Sequence, residues 1–94
     1  MKTVKFPVLS IFNARDQLRT IIADGPKSTG YSISEVRAAV KVLDKLDEAP
    51  ADATAIELED AEHAFVLARV KDVSWTIAHA DIIAFTEAIE NPAS

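Results

Sequence analysis

Residues 57–63, Glu-Leu-Glu-Asp-Ala-Glu-His, place four carboxylates and one imidazole within seven positions. Such groups bind metal ions and transfer protons, so this acidic cluster is the stretch of the chain with the clearest capacity for chemistry. A metal site would use Asp60 and His63, a carboxylate and a histidine three residues apart as in di-iron helix bundles, with His79 and Asp81 as a second contributor. Those bundles need two Glu-x-x-His motifs and two further carboxylates, and this sequence only approximates one motif.

The beginning of a helix accounts for the same acidic cluster. Asp60 is a favourable N-cap residue, and Glu62 and His63 then occupy the first turn, where carboxylates suit the positive end of the helix dipole. Glu59 falls on the exposed face of the strand before it. We therefore interpret the cluster as helix initiation and predict a protein without catalytic residues, a metal site or a cofactor.

No other motif supports catalysis or nucleotide binding. Residues 25–32 contain glycines and a lysine in the wrong order for a phosphate-binding loop, and a helix rather than a strand precedes them. No serine lies at a distance in the sequence from His63 or His79 that would indicate the catalytic triad of a hydrolase. We expect both histidines to be capping or surface residues.

The composition is that of one small globular domain. The chain has 94 residues, of which 49% are apolar and 27% charged, and it can build a single modest core. It has no cysteine, which excludes disulfides, thiol catalysis and zinc–thiolate sites together. No segment approaches the roughly 18 apolar residues of a membrane span, and the first residues lack the pattern of a signal peptide. We therefore expect a soluble protein of the cytoplasm.

The net charge of −5 is unevenly distributed along the chain. Residues 1–47 carry eight cations against five anions, whereas residues 48–94 carry two cations against ten anions. Such a molecule either folds its two halves against each other or presents opposite poles to its partners. Solvated helix faces are the alternative explanation of the same charges.

The first half begins with the pattern of a strand. Val4, Phe6 and Val8 alternate with other residues, which is typical of a half-buried strand, and Pro7 either ends it or confines it to a sheet edge.

Two capping patterns then predict two helices. Asn13 with Asp16 begins the first, which ends at the loop over residues 25–32. Ser32 and Glu35 form a capping box at the beginning of the second. The stripe predicted to face the core from this second helix consists of Val36, Ala39, Val40, Leu43 and Leu46.

The second half begins with a short strand. Ile56 and Leu58 alternate with Glu57 and Glu59, with the period of two that a strand requires, and this predicts a strand from Ala55 to Glu59. We pair this strand with the first one and place Lys2 and Lys5 opposite Glu57 and Glu59, because unlike charges across a strand pair are stabilising.

The segment after the acidic cluster is apolar on two sides. As a helix from about Ala61 to Asp72, it has one face of alanine and leucine side chains and a second stripe on nearly the opposite side, formed by Val66, Val70 and Val73. A domain of this size has difficulty covering both faces. We therefore expect another chain to cover the valine stripe.

A hairpin with strands at residues 65–70 and 73–77 is the alternative for this segment, favoured by its β-branched residues. The alanine content and the acidic beginning favour the helix, which is our prediction. A last helix begins at His79 or Asp81 and ends at residues 91–92.

Together these elements predict an α+β fold, mostly helical, with about four helices and a two-stranded sheet in the order β-α-α-β-α-α. Residues 1–94 form a single domain whose halves, 1–48 and 55–92, are joined by a linker over residues 49–54. A two-stranded sheet has unpaired edges and is marginal in water by itself. The open edge and the two-faced helix both predict association with another chain.

Five further residues are candidates for partner binding. Trp75 and Tyr31 stand at helix entrances, where an aromatic side chain either anchors a partner or plugs the end of the core. Arg37, Lys41 and Lys45 recur every four residues and line one ridge of the second helix. An acidic protein surface suits this ridge better than nucleic acid does, because the ridge has no interleaved aromatic residues.

The second half contains Leu58, Asp60, Phe65 and Trp75 in the run IELEDAEHAFVLARVKDVSW, followed by ADIIAFTEAIENP. With these residues it resembles small proteins of unassigned activity encoded by tailed bacteriophages. The resemblance implies a small viral accessory or virion-assembly protein, found in the host cytoplasm or in the virion. It assigns no site residue.

The sequence thus predicts a non-catalytic protein–protein interaction or assembly module that binds itself or a partner protein, with no membrane or nucleic-acid partner. One alternative is a metal-dependent enzyme built on the acidic cluster. Another is an acidic inhibitor that mimics nucleic acid, which requires six carboxylates to share one surface: Glu57, Glu59, Asp60, Glu62, Glu87 and Glu90.

Overall fold

The computed structural model describes residues 1–27, 29–50 and 52–93. The predicted α+β fold in the order β-α-α-β-α-α is confirmed. Ser28 of the predicted loop, Ala51 of the predicted linker and Ser94 lie outside the described residues. The elements are β1 (Lys2–Lys5), α1 (Ala14–Ala23), α2 (Ile33–Glu48), β2 (Ala55–Leu58), α3 (Asp60–Lys71) and α4 (Ala80–Glu90).

The two strands pair with each other, as predicted; the structure shows that the pair is antiparallel, with Val4 opposite Ile56. The side chains of Val4, Ile56 and Leu58 are buried on one face of the sheet. The strand β1 ends at Lys5, two residues before Pro7, which has no N–H group for a ladder.

The register corrects the charge pairs predicted across the sheet. Lys2 lies opposite Leu58 and Lys5 lies opposite Ala55, so neither lysine faces a glutamate directly. Burial of the apolar face sets this register, because a slip of one residue would turn Ile56 out of the core.

The C-terminal segment covers part of the outer edge of β1. The Thr3 N–H donates to the Ala93 carbonyl at 2.7 Å, and the Ala93 N–H donates to the Thr3 carbonyl at 2.9 Å. The open sheet edge expected from the sequence is therefore partly closed by the chain itself.

All six elements contribute side chains to one hydrophobic core that joins both halves of the chain. Phe85 of α4 and Leu18 of α1 are the largest fully buried side chains, and each contributes about 1.5–3 kcal/mol by leaving water. The remaining members are Val4, Ala14, Ile21, Ile22, Ala39, Val42, Leu46, Ile56, Leu58, Val66, Val70 and Ile89.

Local capping fixes where α1 and α2 begin. The Asn13 side chain accepts from the Asp16 N–H at 3.1 Å, as predicted. In the predicted capping box, the Ser32 hydroxyl accepts from the Glu35 N–H and the Glu35 carboxylate accepts from the Ser32 N–H. These bonds satisfy N–H groups that have no partner inside the helix.

The segment after the acidic cluster is a helix, α3, so the alternative hairpin is wrong. The predicted cap is one residue out of place: Glu59 occupies the N-cap and Asp60 is the first helical residue. The Glu62 carboxylate accepts from the Glu59 N–H at 2.8 Å, so Glu59 belongs to the helix entrance rather than to the strand face.

The buried face of α3 is the reverse of the predicted one. Val66 and Val70 lie in the core, 0% and 2% exposed, and Val73 is half-buried against it. The expectation that these valines need another chain to cover them is therefore wrong. Valine buries more apolar surface than alanine, and the polar residues beside the stripe, Glu62 and Arg69, find partners inside the domain.

The inward face of α2 also differs from the prediction. Ala39 and Leu46 are buried as expected, but Val42 joins them, whereas Val36 and Val40 are 40% and 46% exposed. The helix therefore presents apolar side chains to the core on one side and to solvent on another. No helix in the described part of the chain is long and apolar enough to cross a membrane.

Candidate functional site

The acidic cluster does not converge on a common point. The Asp60 carboxylate is exposed and lies 3.9 Å from the N-terminal amine, whereas Glu62 turns inward against α2. Among residues 1–27, 29–50 and 52–93, no three His, Asp or Glu side chains form a group that could hold a metal ion. The arrangement proposed for a metal-dependent enzyme is therefore not present in the described structure.

The two histidines have separate structural contacts. His63 is buried, and its Nε2 donates to the Ile89 carbonyl at 2.8 Å, which joins α3 to the end of α4. His79 is the N-cap of α4, and its Nδ1 accepts from the Asp81 N–H at 3.0 Å. The expected capping role is confirmed for His79 alone, because His63 lies inside the domain.

Glu62 and Lys45 form a salt bridge between α3 and α2, with 2.5 Å between Oε1 and Nζ. Burial alone would raise the pKa of Glu62. The hydrogen bonds from Lys45 and from the Glu59 N–H, together with the charges of Lys45 and Lys41, outweigh burial and hold this pKa below its usual value. Glu62 is therefore a charged structural residue.

This salt bridge changes two of the sequence predictions. It removes Lys45 from the basic ridge, so that only Arg37 and Lys41 project into solvent. It also removes Glu62 from the six carboxylates that a nucleic-acid mimic would need on one surface. The described structure does not provide that six-carboxylate surface.

Arg69 is the centre of a polar network that was not predicted from the sequence. Its guanidinium donates to the Asp24 carbonyl at 2.8 Å, to the Tyr31 hydroxyl at 3.0 Å and to the Asp72 carboxylate at 3.2 Å. Tyr31 in turn donates to the Ile22 carbonyl at 3.0 Å. The sequence did contain a signal for this network. Arg69 stands alone in an apolar stretch seven residues after Glu62, and that spacing places Glu62 and Arg69 on one side of a helix.

The two aromatic candidates are partly used inside the domain. Tyr31 is half-buried and packs against Phe65, with ring centroids 5.7 Å apart. Trp75 is also half-buried; it stacks on Phe12 and meets Phe85 edge-on, with centroid distances of 6.0 Å and 6.1 Å. Both pack against the hydrophobic core, which is closer to the second of the two roles considered for them.

Asp81 ties the segment after β1 to the beginning of α4. Its carboxylate accepts from the Ser10 N–H at 2.7 Å, the Ser10 hydroxyl at 2.9 Å and the Ile11 N–H at 3.0 Å. These bonds, above all that from the Ser10 N–H, lower the pKa of Asp81. All three hydrogen bonds go to Oδ2, and the contact holds two segments of the chain together.

An open cleft of about 460 Å³ separates the ends of α1 and α3. Its charged wall includes Arg69, Asp72 and Asp24. Arg69 pairs with the Asp72 carboxylate and donates to the backbone carbonyl of Asp24, so its guanidinium is already engaged within the chain. The cleft offers little directed chemistry to a small ligand.

The remaining distinctive surface is an apolar stripe on α2. Ile33, Val36 and Val40, here called the α2 stripe, are 68%, 40% and 46% exposed. Their spacing of three and four residues places them side by side on one face of the helix. The periodicity of the sequence predicted that Val36 and Val40 face the core, and Ile33 was not part of the predicted stripe, so this surface was not predicted.

Comparison with protein-family models, with curated proteins and with solved structures finds no match to this chain. The resemblance to small bacteriophage proteins therefore stays a prediction. The candidate function rests on the geometry of the chain itself.

Proposed function

We propose that this chain is a non-catalytic protein-interaction module that assembles through the α2 stripe. The observation that carries the proposal is the exposure of Ile33, Val36 and Val40 on one face of the longest helix. An amphipathic helix that presents apolar residues at intervals of three and four is a recurring surface for binding another helix or a groove.

The state of the reactive side chains is consistent with this proposal. Glu62, His63 and Arg69 each hold one secondary-structure element against another. Their roles in the fold account for these three side chains. The fold does not account for the α2 stripe, whose aliphatic side chains face water.

The stability of α2 supports the same role. The capping box at Ser32 fixes its beginning, and Arg15 donates to the carbonyls of Leu46 and Ala49 at its end. The helix is thus held in shape before any partner arrives, which lowers the conformational cost of binding.

Site-specific photo-crosslinking in the source cells tests the proposal. A photoreactive residue at Lys41, beside the α2 stripe, should give adducts with protein, and the same residue at Glu87, exposed on α4, should not. Adding Val36→Asp should remove the adducts at position 41. Equal adducts at both positions, or adducts that survive Val36→Asp, would overturn the proposal.

A further inference from the structure

The exposed side of α2 follows the spacing of a helix that packs against another helix. Ile33, Val36, Val40 and Leu43 are separated by three, four and three residues, which is the pattern of a coiled-coil seam. The first three are exposed and Leu43 is half-buried, so the seam is open over the first half of the helix. A helical partner matches this geometry.

Two charged residues flank the seam on the same side. Arg37 and Asp44 are exposed and seven residues apart, so they project within about 20° of each other. Within residues 1–27, 29–50 and 52–93, neither forms an ion pair. The flank is therefore positive towards the beginning of α2 and negative towards its end.

We propose that the α2 stripe binds the same stripe of a second copy of this chain, with the two helices antiparallel about a two-fold axis at Val40. At 1.5 Å per residue, Arg37 lies about 4.5 Å before Val40 and Asp44 about 6 Å after it. The two-fold axis brings Arg37 nearly level with Asp44 of the partner subunit. The same axis generates a second, equivalent pair farther along the helices, beyond Val40.

The charge layout selects both the partner and the orientation. Each chain carries one positive and one negative group at matching distances from Val40, so two identical chains complement each other only when antiparallel. A parallel pair would place the Arg37–Asp44 flanks of the two chains on opposite sides of the seam, so that neither charge would meet a residue of opposite charge on the partner.

The contact area sets the expected strength. One pair of helices covers less than the roughly 1,200 Å² that marks the lower limit of stable interfaces. The dimer should therefore be weak and depend on concentration, with a Kd on the order of 10–100 µM. This inference deepens the proposed function, on which it rests, by naming the partner.

Sedimentation equilibrium of the purified chain over about 5–500 µM tests the dimer directly. The apparent mass should rise from 10.2 kDa towards twice that value. Val40→Asp should weaken the dimer at least tenfold, whereas Ile83→Asp, at a still more exposed isoleucine on α4, should leave it unchanged. A monomer at all concentrations, or equal effects of the two variants, would overturn the inference.

A charge exchange tests the orientation without burying a charge in the seam. Arg37→Glu alone and Asp44→Lys alone should each weaken the dimer about three- to tenfold, and the double variant should restore it. Lys27→Glu, which changes the net charge by the same amount as Arg37→Glu, should have no effect. If neither single exchange weakens the dimer, or the double variant fails to restore it, the antiparallel pairing is wrong.

The failures of the two proposals differ. The chain could stay monomeric in sedimentation and still give stripe-dependent adducts with a different protein. That result would refute a second copy as the partner and leave the proposed interaction module in place. A monomeric chain without stripe-dependent adducts refutes both.

Discussion

The Lys45 ammonium lies 2.5 Å from the Glu62 carboxylate, so the basic ridge of α2 and the acidic beginning of α3 meet inside one molecule. The Glu62 side chain is 10% exposed and that of Lys45 is 31% exposed. Folding thus neutralises part of the charge asymmetry along the sequence, in line with the expectation that the two halves of the chain fold against each other.

Removing the cation of this pair should destabilise the fold. Lys45→Met leaves the Glu62 carboxylate largely buried without its partner, and we expect the free energy of unfolding to fall by about 1–3 kcal/mol. Lys41→Met, an exposed lysine one turn earlier on α2, should cost less than about 0.5 kcal/mol. Urea denaturation at pH 7 measures both, and equal losses would contradict a specific salt bridge.

The lowered pKa of Glu62 predicts how stability depends on pH. A carboxyl group with a lower pKa in the folded state stabilises the fold above its unfolded pKa of about 4.3, and this contribution disappears as the pH falls through the folded pKa. Glu62→Gln should therefore be less stable than the wild type at pH 7, and the two should converge in acid. A stability difference that stays constant from neutral to acid pH would refute this linkage.

The Arg69 network should be more sensitive than its position near the surface suggests. Arg69→Met leaves the Asp24 carbonyl and the Tyr31 hydroxyl without a donor, and we expect a loss of about 2–4 kcal/mol. Tyr31→Phe removes one hydroxyl and should cost about 1–2 kcal/mol. If the two losses measured by chemical denaturation add up in the double variant, the two residues do not act as one network.

Two valines on different helices should lose very different amounts of stability from the same substitution. Val66→Ala opens a cavity in the core and should cost about 1–3 kcal/mol. Val40→Ala removes side-chain surface that already faces water and should change stability by less than about 0.5 kcal/mol. Thermal unfolding of a dilute, monomeric sample compares them, and similar costs would mean that the assigned faces are wrong.

The segment at Ser10 and Ile11 should detach when Asp81 loses its charge. Asp81→Asn weakens the bonds to both backbone N–H groups, so their hydrogen exchange should become faster, while exchange at Val4 in the sheet should not change. Because the pKa of Asp81 is lowered in the fold, the wild type keeps these bonds above the unfolded pKa and loses them as the pH falls through the folded value. Unchanged exchange at Ser10 in the variant would show that the carboxylate does not hold the segment.

The sequence by itself determined the features that depend on neighbouring residues. The Asn13 and Ser32 caps, the strand alternation and the order of the elements follow from hydrogen bonds and periodicities within a few positions, and each was predicted. The pairing of the two strands also followed, since the sequence predicted only one other strand for each to pair with, whereas their antiparallel orientation came from the structure.

Only the tertiary structure decided which face of each helix is buried. Both α2 and α3 carry apolar residues on two sides, and the local pattern cannot tell which side will be buried. Burial favours the side that removes more apolar surface from water and whose polar neighbours find partners elsewhere in the chain. Lys45 supplies a partner for Glu62, and the Asp24 carbonyl supplies one for Arg69, so Val66 and Val70 can enter the core. The same competition leaves the α2 stripe exposed to water. The periodicity did not predict this exposure, on which the proposed function rests.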